Sequence, residues 1–444
     1  MNTDQYWWKK AKIYELYVDK FAGDFRGLTA RMDYFTTLGI NTLHILPHYP
    51  SPMVDDGYDI KDYRNVRSEL GTLLDMKQCI AAAKARGIHI ILDMVLNHVS
   101  VEHPWFVEAR SSKNNPKRDF FLWSESGREY ELSLNAFPDI KPSNWIANPQ
   151  TGDHYFATFY PEQPDLNWDN PGVVEAMLDN IDFWADMGVD GFRLDAACFL
   201  IKREGTTCKG LPETHAMIKH IRRHLDEQYP RGVILLGEAA QSIEETKAYF
   251  GSGDECQMMY HFPLMAEMWL ALARGDHSLV KQMVDRSFDI PENCQWGVFL
   301  RNHDEIELRF LSSPEVCSSL LAFLDPKREY LFNKGQATAK RIGSIFPHDE
   351  EIRQAFALLY STPGAPIMYY GDEIGMKNLP VMPGIVDTRK YVRGVFDWAE
   401  AEREMRDPRS LFNYLATLTR SSLESAEEVF TSPQQEQQAE VAVP

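Results

Sequence analysis

Short β-rich runs alternate with amphipathic stretches along most of this chain, and no other feature constrains its fold as tightly. The runs are "AKIYELYV", "NTLHILP", "IHIILDMVLNH", "GFRLDA" (191–196), "VILLGEA" (233–239), "QMMYHF" (257–262), "GVFLRNHD" (297–304) and "PIMYYGDE" (366–373). Helical patterns such as "LLDMKQCIAAAKARG", "NPGVVEAMLDNIDFWADMG" and "EIRQAFALLYST" separate most of them. Strands joined through helices run parallel, because a tight hairpin can join only antiparallel neighbours. Eight such units predict an α/β fold, a (β/α)8 TIM barrel, with a doubly wound open sheet as the weaker alternative. A length of 444 residues is compatible with one barrel carrying insertions.

Two stretches break the rhythm. Residues 99–169 follow the third strand, are dense in Trp, Phe, Tyr, Asn, Pro and Ser, and read as an inserted subdomain. The expected division is therefore a barrel over 1–98 and 170–420, the insertion over 99–169, and a polar tail over 421–444 that is too hydrophilic to pack. A second irregular segment, about 323–348, precedes the seventh helix. Loops of this size in a compact enzyme usually form lids or pocket walls.

Composition narrows the partners. The chain is 44% hydrophobic and 12% aromatic, which excludes a disordered chain and suits ligands with flat faces. A net charge of −19 argues against nucleic acid and against anionic membranes, both of which require clustered cations. The N-terminus lacks a signal-length apolar segment and no later run approaches a membrane span, so the expected location is cytoplasmic. The six cysteines are scattered without zinc-ligand spacing and are expected to be free thiols; no metal site is read from them.

Polar residues sit mostly at the C-terminal ends of the expected strands: Asp93, Asn97 and His98 on the third, Arg193 and Asp195 on the fourth, Glu238 on the fifth, His303 and Asp304 on the seventh. In a parallel barrel these ends converge on one face. Charges inside apolar runs are costly unless paired or used, so their joint placement points to a site. Several carboxylates without catalytic cysteine or phosphate loop fit glycoside hydrolysis, in which an anionic nucleophile and a protonated acid flank an oxocarbenium-like transition state. Arg193, on the same strand face as Asp195, is expected to keep that carboxylate ionised. Glu238, following "VILLG", is expected to have its pKa raised by desolvation.

"DMVLNH", "GFRLDA", "GEA" and "RNHD", in this order, resemble the four signature regions of the α-amylase superfamily of retaining α-glycoside enzymes. The resemblance implies Asp195 as nucleophile, Glu238 as acid/base and Asp304 as the third carboxylate that grips sugar hydroxyls. It implies that His98, Arg193 and His303 line the subsite of the reacting glucose, that "DDGYD" brings Asp55 and Tyr58 to the same sugar, and that Arg393 closes the site. Within the superfamily, "HPWFVEARSSKNNPKRDFFLWS", "REGTTCKGLPETHA" and "IPENCQWGVFLRNHDE" resemble the trehalose synthase family, which interconverts maltose and trehalose. α-Glucosidase or transglucosylase action on small α-glucosides is the alternative. A non-catalytic sugar binder is a third reading, against which the three intact carboxylates speak.

The departures are local. The family's Asp- and Gly-rich loop after the first strand is shortened to "VDKFAGDFRG", so calcium is doubtful, although Asn97 matches a calcium ligand of α-amylases; no cofactor is expected to be required. Near the eighth strand the family pattern survives only as "DTRKYVRGVFDW", and too few residues follow Trp398 for the family's C-terminal β-sandwich.

Overall fold

In the computed structural model, which describes residues 6–431, the eight expected runs all form strands. They are β1 (Ile13–Leu16), β2 (Thr42–Ile45), β3 (His89–Val95), β4 (Gly191–Asp195), β5 (Ile234–Gly237), β6 (Met258–Tyr260), β7 (Gln295–Phe299) and β8 (Ala365–Tyr369). Consecutive strands pair in parallel, and β8 pairs with β1 to close the barrel. Nearly every strand residue is buried, because side chains fill the barrel inside and helices cover it outside. That double burial explains why the runs read as continuous apolar segments rather than as alternating ones.

Local chemistry sets the connections. Thr72 and Asp75 form a reciprocal capping box that starts the helix Leu73–Lys84. Asn170 caps the helix Pro171–Met187, and Gly188, at φ 105°, ends it in a left-handed turn leading into β4. The sixth strand stops at Tyr260 instead of continuing to 262, because His261 caps the helix Phe262–Arg274, whose first turn contains Pro263.

Between β3 and the helix Pro171–Met187 lie the helix Pro104–Ser111 and a small antiparallel sheet of Trp123–Ser124, Trp145–Asn148 and Asp153–Phe156. Phe106 packs there against Phe121, Trp123 and Tyr155. The second irregular segment begins earlier than expected: Ile306–Glu307 pairs with Ala337–Thr338, which also pairs with Leu331–Phe332. The helix Leu411–Thr431 is tied to the helix Asp349–Ser361 by the Thr419–Tyr360 hydroxyl bond at 2.9 Å. It carries the first part of the expected polar tail as far as Thr431; 432–444 lie outside the described residues. Among the described residues no helix is long and apolar enough to cross a membrane.

The spacing between β4 and β5 leaves no room for a side chain at residue 191. A Cβ there would stand 2.5 Å from Ile234 Cγ1 and 3.1 Å from the Ile234 carbonyl oxygen. Gly191→Ala is therefore expected to lower stability by about 1–3 kcal/mol, read as a lower urea midpoint at unchanged slope; an unchanged midpoint would contradict this packing.

Candidate active site

The register that pairs Asp93 with Arg193 and Val95 with Asp195 sets an acid beside a base on the floor of the barrel mouth. Arg193 is fully buried. Its Nη1 donates to Asp93 Oδ1 at 2.8 Å and to Asp195 Oδ1 at 2.6 Å, and its Nη2 meets Glu238 Oε1 at 2.5 Å. One guanidinium thus holds carboxylates delivered by β3, β4 and the end of β5. Burial, reinforced by the Glu238 and Asp93 charges, pushes the Asp195 pKa well above the usual carboxylate range despite Arg193. This corrects the expectation that Arg193 would hold it low: the cation is divided among several acids.

Glu238 does not sit in the apolar surroundings expected from "VILLG". Besides Arg193 it accepts the Ala196 backbone N–H at 3.1 Å. Ala196 reaches it from a left-handed conformation, φ 48°, which costs a non-glycine residue about 1 kcal/mol.

Asp304 faces them from the loop after β7. It lies 3.1 Å from His303 Nε2, 3.2 Å from Arg389 Nη1 and 2.7 Å from Arg393 Nη2. Burial would raise its pKa, but the His303, Arg389 and Arg393 charges hold it well below the ordinary value. Burial would likewise lower the His303 imidazole; Asp304 and Glu15 outweigh burial and push it up to about 10. The Tyr58 ring stacks on His303, and its hydroxyl donates to Asp93 Oδ2 at 2.9 Å. Burial lowers His98 to about 4, so its ring is neutral, and its buried Nε2 has no hydrogen-bond partner.

These groups surround a cavity of about 290 Å³, near the lower limit for small-molecule sites. Asp55, Tyr58, His98, Asp195, Glu238 and Asp304 line it directly. Arg193, His303 and Arg393 do not; they lie behind the lining carboxylates and fix their positions. Arg393 also meets Asp56 at 2.6 Å. The cysteines are all free, as expected. Burial pushes the pocket-lining Cys198 up to about 11, which keeps it an unreactive thiol.

Sequence reasoning missed Arg389. Its guanidinium contacts Asp304, Asp55 Oδ1 at 3.0 Å and Asp387 Oδ2 at 2.7 Å, and it lies over the rings of Phe137 and Phe332. A signal was available, since Asp387 and Arg389 have the same two-residue spacing as Arg193 and Asp195. Glu305 was also missed: burial and the Asp304 charge push this pocket-lining acid up to about 8. The roof had no signal in the sequence: Phe137, which lines the cavity, packs on Phe159, Tyr160 and Phe332, so the insertion meets the loop after β7 at the cavity.

The residues around Asn97, which matches a calcium ligand of α-amylases, do not fit a calcium ion. Lys202 Nζ sits 2.7 Å from Asn97 Oδ1, 2.7 Å from Asp165 Oδ2 and 2.6 Å from the Phe199 carbonyl oxygen. Calcium requires about six to eight oxygens at roughly 2.3–2.6 Å, and here an ammonium occupies the centre of the oxygens. In the loop after β1, Asp24 caps a helix and Asp19 meets Lys20 and Arg67. Among the described residues no group of three or more His, Cys, Asp or Glu side chains is arranged to hold a metal.

The match to known proteins agrees with this geometry. The family description "Alpha amylase, catalytic domain" matches residues 2–318, and the chain belongs to the alpha-amylase family. It is 43% identical over 392 residues to trehalose synthase/amylase TreS of Mycolicibacterium smegmatis, covering 85% of this chain and 65% of that protein. It is 42% identical over 406 residues to trehalose synthase of Thermus thermophilus, covering 89% and 41% respectively. The chain thus spans less than two thirds of the length of these relatives. An oligo-1,6-glucosidase of Heyndrickxia coagulans is 33% identical over 407 residues, covering 84% of this chain and 67% of that one. Among solved structures, the alpha-glucosyl transfer enzyme XgtA superposes with a TM-score of 0.74 at 25% identity, covering 94% of this chain and 84% of that one.

Two predictions follow from the charges. His303 has a folded pKa above its ordinary 6.5, so its contribution to stability is complete below that pH and is lost as pH rises toward about 10. The thermal midpoint should fall across this window, and His303→Gln should flatten the fall. Arg389→Ala should lower kcat/KM by about a hundredfold on whichever sugar the wild type turns over, because it strands buried carboxylates; steady-state kinetics would read it.

Proposed function

We propose that the chain interconverts maltose and trehalose by double displacement at Asp195. The observation that carries this reading is the small cavity in which Asp195, Glu238 and Asp304 are brought together with Phe137 and Arg389. Isomerisation requires that the released glucose stay in place, and an enclosed site favours its retention over escape. The names and identities of the trehalose synthase relatives support the same reading.

An Asp195 oxygen attacks C1 of the non-reducing glucose of maltose as Glu238 protonates the departing O4 of the other glucose. The retained glucose reorients. Its anomeric hydroxyl then attacks C1 of the glucosyl ester, Glu238 takes the proton, and the C1–Asp195 bond breaks to give trehalose. Two displacements at C1 retain its configuration. Asp304 and Asp55 accept from hydroxyls of the reacting sugar, and His98 Nε2 supplies a neutral acceptor or donor beside them.

A second reading, hydrolysis or glucosyl transfer to longer acceptors, has its own support. Lys209, Ala240 and Arg309 line both the catalytic cavity and an adjoining depression that extends past Ser242 and Glu245. An acceptor longer than glucose could extend along that path.

The test is to incubate the purified chain separately with maltose and with trehalose and to resolve the sugars over time. Isomerisation gives trehalose from the first and maltose from the second, with α-configured product at early times by NMR. Glucose alone would establish a hydrolase, and longer sugars a transglucosylase. Asp195→Ala should abolish turnover while maltose binding persists; unchanged turnover would remove Asp195 as nucleophile.

A further inference from the structure

Lys202 is an ammonium group buried where three separate parts of the chain meet. Its side chain is 1% exposed and Asp165 is fully buried. Asn97 closes β3, Asp165 ends the insertion, and Phe199 belongs to the loop that follows Asp195. The three contacts at 2.6–2.7 Å use all three N–H bonds of the ammonium. The same residues reach further. Asp165 accepts from the backbone N–H of Thr158 at 2.9 Å and from its hydroxyl, Leu166 N–H donates to the Asn97 carbonyl at 2.8 Å, and His98 bridges to Asp165. Asn97 Nδ2 lies 3.3 Å from His98 Nδ1. The cross-link therefore holds both His98, which faces the cavity, and the Phe199 segment of its wall.

We infer that the Lys202 ammonium is a built-in cation that takes the place of a divalent metal at this junction, making Lys202 a positioning residue for His98 and for the loop after Asp195. An ammonium brings one positive charge and three directed donors to two side-chain oxygens and one carbonyl. A divalent ion with one additional carboxylate would bring the same net charge to the same oxygens. The covalently attached cation cannot be removed by a chelator, so the chain needs no calcium to hold its cavity together.

The experiment compares wild type with Lys202→Met and Lys202→Glu, each with EDTA and with millimolar calcium. It reads the thermal midpoint together with kcat and KM on the sugar that wild type turns over. Only the kinetic arm rests on the reading of the cavity as a glucoside site; the midpoint is independent of it. Wild type should show the same midpoint in EDTA and in calcium. Lys202→Met should have a lower midpoint and a KM raised about ten- to a hundredfold with a smaller change in kcat, neither restored by calcium. Lys202→Glu should be impaired in EDTA and recover midpoint and KM on adding calcium, since the new carboxylate completes an oxygen site. A wild-type midpoint that rises with calcium or falls in EDTA would overturn the inference. So would a Lys202→Met variant with wild-type midpoint and KM, or a Lys202→Glu variant that ignores calcium. If Lys202→Glu does not fold, wild type and Lys202→Met still decide the question.

Discussion

A single buried guanidinium organises this site. Arg193 has no solvent contact, and its charge is stabilised by Asp93, Asp195 and Glu238, each delivered by a different barrel strand or strand end. The arrangement works only if β3, β4 and β5 keep their register, because a shift of one residue would turn Arg193 to the opposite face. Barrel closure and site chemistry are therefore one problem. Removing either partner of such a buried pair leaves a charge that low-dielectric surroundings cannot accommodate.

The surplus of acids over cations has a chemical consequence. Burial, with Arg193 shared among Asp93, Asp195 and Glu238, leaves the Asp195 pKa well above the usual carboxylate range. Asp304 has the opposite balance, with His303, Arg389 and Arg393 around one carboxylate. It stays ionised at any ordinary pH. Asp195 and Asp304, both buried at one cavity, are thus shifted in opposite directions because the charges around them differ.

Most of the fold was legible because a parallel barrel buries both faces of every strand, leaving apolar runs that the eye finds readily. The strand-end acids were legible for the complementary reason: a charge in such a run is anomalous. The direction of the Asp195 shift was misread because pairing it with Arg193 alone ignored its burial, and with it Glu238 and Asp93, which the sequence places far away. Arg389, Phe137 and Phe332 lie in irregular segments, where contacts follow neither helical nor strand periodicity. Lys202 looks like a surface lysine beside the partly exposed Arg203; only the fold brings Asn97 and Asp165 to it. The two-residue strand at Ile306–Glu307 is too short for any periodic signal, so the second insertion appeared to begin later than it does.

Arg389 joins what would otherwise be separate functions. Its donors contact Asp304 and Asp55 on the floor, and its guanidinium lies against the rings of Phe137 and Phe332. On the proposed mechanism, the floor alone would not distinguish water from a sugar hydroxyl as the group that attacks a glucosyl ester, since Glu238 would accept a proton from either. On that mechanism, discrimination would have to come from whatever excludes water and holds the freed sugar, a task that would fall to the roof. Because the same guanidinium closes the roof and helps keep Asp304 ionised, displacing the roof would also alter the charge on the floor. Loop closure and the electrostatics of the reacting sugar are thereby coupled through one side chain.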